Sequence, residues 1–162
     1  MAITVDVSIS DDLMLEAGIS EIPESGDENV PDPALLQQWA TAAYLGHAPA
    51  IASMRVTTAN EIQQLNKQYR DKDTATNVLS FAMQSPAEVD ITLLGDIVLC
   101  SAVIKQEAKQ QCKSEKSHWA HMVVHGMLHL QGYDHLENDE AEEMERLEIK
   151  ILEQLEFANP YK

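Results

Sequence analysis

With 162 residues the chain is long enough to bury roughly two-thirds of its unfolded surface, and a single domain over residues 1–162 is expected. Hydrophobic residues make up 44% and charged residues 23%, an ordinary globular balance, and no apolar run approaches the roughly 18 residues a membrane helix needs. The net charge of −16 argues against a general nucleic-acid binder, but the charge is unevenly spread. Residues 1–54 hold nine acids and no Lys or Arg, and residues 137–162 hold nine acids against three bases. Residues 55–136, with nine acids and eight bases, are close to neutral, which permits an anionic substrate whose binding salt weakens. The start of the chain lacks a basic segment followed by an apolar one, and Cys100 and Cys112 form no C-x-x-C. A cytoplasmic protein with two free, buried thiols is expected.

Residues 3–9 alternate apolar and polar, as a strand with one buried face does. Ser10 to Pro33 is acidic and broken by glycine and proline, an exposed loop with a short helical turn at Asp12–Glu16. Pro33 to Leu45 has helical periodicity and Gly46 closes it. Ile51 to Thr57 reads as a second strand, followed by a helix from Thr58 to about Tyr69 with a Thr or Asn cap. Arg70 to Thr76 is a polar loop. Asn77 to Met83 is a third strand, with a turn around Ser85-Pro86. Leu93 to Cys100 is a fourth strand in which Gly95 marks a bulge or a close backbone approach.

From Ser101 the pattern is helical to about Cys112. Lys105, Lys109, Lys113 and Lys116 line one flank if that helix persists, a spacing that more often marks a solvated face. Ser114 caps the next helix, residues 115–130, which is apolar nearly all round and belongs at the centre of the fold. A last helix runs from Asp139 to about Leu155, with an acidic first turn that suits the helix dipole. Its acidic run over 137–148 reads as solvated surface, with a proton carrier among its glutamates only if folding brings one inward.

The chemistry is concentrated in His125-Gly126-Met127-Leu128-His129-Leu130-Gln131-Gly132-Tyr133-Asp134-His135. His125 and His129 share a helix face, Gly132 stops the helix in a left-handed turn, and the turn that follows can return His135 to the pair. Three neutral imidazoles leave a fourth position open, as at a catalytic zinc. The spacing matches the protease pattern H-E-x-x-H-x-x-G-x-x-H except that Gly126 replaces the general-base glutamate. His118 and His121 lie on the same face. His121 is expected to be a hydrogen-bonded core histidine or a support for a ligand, His118 a surface residue, and His47 a loop residue. Asp134 reads equally as exposed or as orienting a ligand imidazole.

This histidine segment, together with N-K-Q-Y-R-D-K-D-T-A-T-N-V-L-S-F at 66–81 and L-L-G-D-I-V-L-C at 93–100, resembles the YbeY family of bacterial endoribonucleases, the rRNA maturation factors. Ala75 and Ala82 stand where many relatives carry proline. The resemblance implies an α+β fold, a small mixed sheet of about four strands packed by helices around the histidine-bearing helix. It implies one Zn²⁺ held by His125, His129 and His135, a catalytic role for Arg70, and single-stranded ribosomal RNA as substrate, with ribosomal subunits or ribosomal proteins as partners and no DNA. It also implies a role in 3′-end maturation of small-subunit rRNA and in ribosome quality control. Arg70 suits phosphate because its planar fork donates two parallel hydrogen bonds. Lys105, Lys109 and Lys113 are expected to steer the RNA backbone through charge. Two other classes are compatible with the spacing, a metalloprotease-like hydrolase and a non-enzymatic ribosome-assembly factor with a structural zinc.

Overall fold

A computed structural model describes residues 3–10, 13, 30–83, 91–134 and 137–161. The helical turn expected at Asp12–Glu16, the turn around Ser85-Pro86 and His135 lie outside these residues, apart from Leu13. The described residues form an α+β fold with four strands, β1 (Ile3–Ile9), β2 (Ala50–Thr57), β3 (Val78–Ala82) and β4 (Thr92–Cys100). Five helices accompany them: α1 (Pro33–Ala43), α2 (Ala59–Arg70), α3 (Ser101–Gln110), α4 (Glu115–Leu130) and α5 (Asn138–Gln154). None of these helices is long and apolar enough to cross a membrane.

The sheet is mixed, in the order β1-β2-β4-β3. β1, β2 and β4 run parallel, and β3 pairs antiparallel with β4 at the edge. Period-two alternation turns Ile3 and Val5 of β1, and Ala50, Ala52, Met54 and Val56 of β2, into the core. β4 is apolar on both sides because it is covered on both sides. Its Ile97 and Leu99 belong to the main core with residues of α1 and α4, while Val98 and Cys100 join Ile62 of α2 and Leu79 of β3 in a smaller cluster. Gly95 combines both features expected of it. Leu94 is the extra residue of a bulge, since Ile51 pairs with Leu93 and Ala52 with Gly95. Gly95 has φ +133°, and a Cβ there would stand 2.1 Å from the Phe81 carbonyl oxygen.

Capping fixes where the helices begin. Asp32 accepts from the Ala34 amide at 2.9 Å ahead of Pro33. Thr58 and Ser114 each accept from an amide three residues on, both at 3.1 Å. α1 stops at Ala43, before the expected Leu45, and its cap residue Tyr44 is extended, so Gly46 does not close it. α3 ends at Gln110, and Cys112 takes φ 55° just past the helix end, where it is exposed, so only Cys100 is buried as expected. α4 is the hub: eleven of its sixteen residues are buried, and it packs on α1, α3, α5, β3 and β4.

Candidate metal centre

His125 and His129 stand one turn apart on α4, and their Nε2 atoms face each other at 3.0 Å with the rings 80° from parallel. Two imidazole nitrogens about 2.0–2.1 Å from one tetrahedral ion would lie ~3.3 Å apart, so the pair is spaced for a shared cation. Gly132 then ends the helix as the sequence requires. At φ 97° its amide bonds the His129 carbonyl, and the Tyr133 amide reaches back to Leu128, both at 3.1 Å. That double bond pattern is a Schellman cap. Asp134 beyond it is half-buried.

Behind the pair lies Glu148, from the interior face of α5, only 1% exposed. Its Oε1 is 3.2 Å from His125 Nδ1, and its Oε2 is 2.5 Å from His121 Nε2. The Tyr161 hydroxyl, arriving from the C-terminal turn, donates to the same Oε2 at 2.8 Å. Burial alone would raise the carboxyl pKa, but hydrogen bonds and charge from His121 and His125 outweigh it and hold it at about 2. Burial, followed by the neighbouring Glu148, pushes the Tyr161 hydroxyl well above the usual phenol range. Among the described residues the Nδ1 of His121 is buried without a hydrogen-bond partner, so its ring proton belongs on Nε2, facing the carboxylate. The acidic run of α5 is therefore not all solvated surface. Glu148 is the glutamate that folding carries to the imidazoles.

Gly126 is set by space. A Cβ there would stand 3.1 Å from Ile97 Cγ2 and 3.3 Å from both Ile97 Cδ1 and Ser80 Oγ. The helix backbone lies close enough to the sheet that any side chain here would have to displace Ile97 of β4 and Ser80 of β3 by a few tenths of an ångström. Gly126 thus fits the close approach of α4 to the sheet. His121 is a buried, hydrogen-bonded histidine, as expected. His118 corrects the expectation of a surface residue: it is 2% exposed, with Nε2 2.9 Å from Glu107 Oε1, and Asn77 donates to that carboxylate at 3.0 Å. His47 is exposed between α1 and β2.

Arg70 sits at the last position of α2 and not in a loop, because the left-handed cap falls at Asp71, φ 56°. The guanidinium is exposed, lies 5.5 Å over the Phe81 ring and donates through Nη2 to the Ser80 carbonyl at 2.6 Å. Ser80 in turn donates its hydroxyl to the Gly126 carbonyl at 3.2 Å, beside His125. Two hydrogen bonds through one residue of β3 connect the arginine to the histidine helix. The Ser80 hydroxyl is thereby committed to a backbone acceptor and not to a base. Lys105 and Lys109 are exposed on α3. Lys113 lies beyond the end of that helix, out of line with them, and its Nζ donates to the Pro160 carbonyl at 2.7 Å. Burial lowers the Lys113 pKa, with Glu107 opposing the shift.

Glu148, Tyr161, Ser80, Glu107 and Asn77 are the contributors that spacing rules miss. Glu148 alone leaves a trace in the sequence. It falls with Met144, Ile151 and Leu152 on the apolar stripe of α5, where an acid is out of place unless it has buried partners.

Residues 34–156 match the family model described as Endoribonuclease YbeY. A protein of Idiomarina loihiensis named Endoribonuclease YbeY is 47% identical over 154 residues, covering 93% of this chain and 90% of its own. The solution structure of TM1509 from Thermotoga maritima shares the fold at 17% identity, with a TM-score of 0.52 over 94% of this chain and 92% of that one. With the histidine helix, its glycine cap and Arg70 all inside the matched span, the chain belongs to the YbeY family of endoribonucleases.

Proposed function

We propose that this protein is a zinc-dependent endoribonuclease specific for single-stranded RNA, acting on ribosomal RNA in the cytoplasm. Its tasks would be 3′-end maturation of small-subunit rRNA and ribosome quality control, with ribosomal subunits or ribosomal proteins as partners. The observation that carries this reading is the Nε2 pair of His125 and His129, 3.0 Å apart and backed by a buried carboxylate, in a chain of an endoribonuclease family. His135 is the third ligand on this reading. When bound, the ion supplies Lewis acidity towards a phosphodiester oxygen and towards water.

The chain's own residues hold and orient the substrate. Anchored through Nη2 at Ser80, the Arg70 guanidinium has further N–H donors to offer a phosphate, and those bonds strengthen as negative charge develops. Lys105 and Lys109 attract the RNA backbone without reading its sequence. Lys113, engaged by Pro160, contributes less than the lysine spacing implies. No glutamate stands where a metalloprotease places its base, so the protease reading has no support from the site. The test is metal analysis of the purified protein beside cleavage of single-stranded RNA with and without chelator. One zinc per chain and chelator-sensitive cleavage support the reading; a 2′,3′-cyclic phosphate end would show that the substrate 2′-OH attacks. Zinc with no cleavage would favour the non-enzymatic assembly factor.

A further inference from the structure

We infer that Glu148 is a positioning residue for the metal centre, and that Tyr161 holds it in place, so that the C-terminal turn is part of the site. The inference rests on the zinc reading above and adds residues to it. A metal-binding imidazole must present one bare nitrogen, and the proton on its other nitrogen decides which. For His125 that decision lies with Glu148. Its carboxylate oxygen accepts from Nδ1 at 3.2 Å, which keeps the proton there and turns the Nε2 lone pair towards His129. The same carboxylate oxygen pair cannot swing away, because the other oxygen accepts from His121 at 2.5 Å and from Tyr161 at 2.8 Å.

Tyr161 is itself fixed. Its ring meets the His121 ring edge-on at 5.5 Å, its amide donates to the Asn159 side chain at 2.8 Å, and Lys113 grips the carbonyl of Pro160. A buried carboxylate with three donors, two of them imidazoles of the metal-bearing helix, goes beyond what packing of α5 requires. An apolar residue would fill the same stripe beside Met144, Ile151 and Leu152.

The experiment measures Zn²⁺ affinity by chelator competition for the wild-type chain, Glu148→Gln, Tyr161→Phe and His129→Ala, with a melting curve for each. Glu148→Gln keeps the shape but removes the anionic acceptor, and its zinc affinity should fall about 10–100-fold. Tyr161→Phe should give a smaller loss in the same direction. Nitrogen-15 spectra of the metal-free wild type should show the His125 proton on Nδ1. A purely structural glutamate would lower the melting temperature and leave zinc affinity unchanged. Should Glu148→Gln fail to fold, Tyr161→Phe and the wild-type tautomer decide. A folded Glu148→Gln that binds zinc as the wild type does, or a His125 protonated on Nε2, overturns the positioning role while the wild type and His129→Ala still establish the metal site. A wild type that binds no zinc overturns both.

Discussion

At residue 126 two demands compete, and the sheet wins. A general base would be useful beside two histidines, but the α4 backbone passes too close to Ile97 and Ser80 for any side chain to fit without displacement. Gly126→Glu should therefore destabilise the fold by about 3 kcal/mol or more, from overpacking and an uncompensated buried charge, and should confer no peptidase activity. Urea unfolding of the variant beside a casein assay checks both. Arg70 is the opposite case, exposed and bound to the fold by one hydrogen bond. Arg70→Ala should cost about 1 kcal/mol of stability, which is ~2–4 °C in melting temperature for a chain of this size, against about 10²–10³ in cleavage rate. Arg70→Lys should recover only part of the rate, since a point charge cannot make the bidentate contact. Single-turnover cleavage and melting curves on both variants separate the roles; wild-type cleavage by Arg70→Ala would remove the arginine from the mechanism.

Helices and strands carry local signals of different quality. The Ser114 cap and the Gly132 stop bracket α4 to the residue, because each answers a local backbone need that only a few residue types satisfy. Gly132→Ala should cost about 1–2 kcal/mol from the strained left-handed residue alone, since no atom among the described residues lies within 4 Å of the added Cβ, and calorimetry would show it. All four strands were readable from alternation or apolar runs, and so was the bulge at Gly95. What local patterns could not show is which element lies beside which. The lysine stripe fails at Gln110, where α3 ends and the chain turns, so the alignment of Lys113 with Lys105 and Lys109 is lost. Arg70 reads as a loop residue because Asp71 and Asp73 follow it, whereas the left-handed cap falls one residue later. Glu148 looks like one more acid in an acidic helix until α5 is packed against α4, which brings it to residues more than twenty positions away in sequence.

Across the whole molecule the buried His118 should make stability sensitive to acid. Burial lowers the His118 pKa below its ordinary value of 6.5, with hydrogen bonding to Glu107 opposing it, so the folded state binds fewer protons there than the unfolded chain does. Stability should fall as pH drops below about 6.5, and His118→Gln should flatten that fall in metal-free protein followed by urea melts between pH 8 and 5. Glu148 acts lower on the scale. Its folded-state pKa of about 2 against an ordinary 4.5 supplies stability that is present above 4.5 and lost towards 2. The same architecture gathers His121, His125, His129 and Glu148 along one face of the central helix, and the proposed function stands on that cluster.

The measurement that tests this most directly is the single-turnover rate of single-stranded RNA cleavage as zinc is returned to chelator-stripped protein. The stripped chain should be inactive, activity should rise to a plateau at one zinc per chain, and His129→Ala should not respond. Stripped protein, free of metal by elemental analysis, that cleaves RNA as fast as the zinc-loaded form would contradict the account.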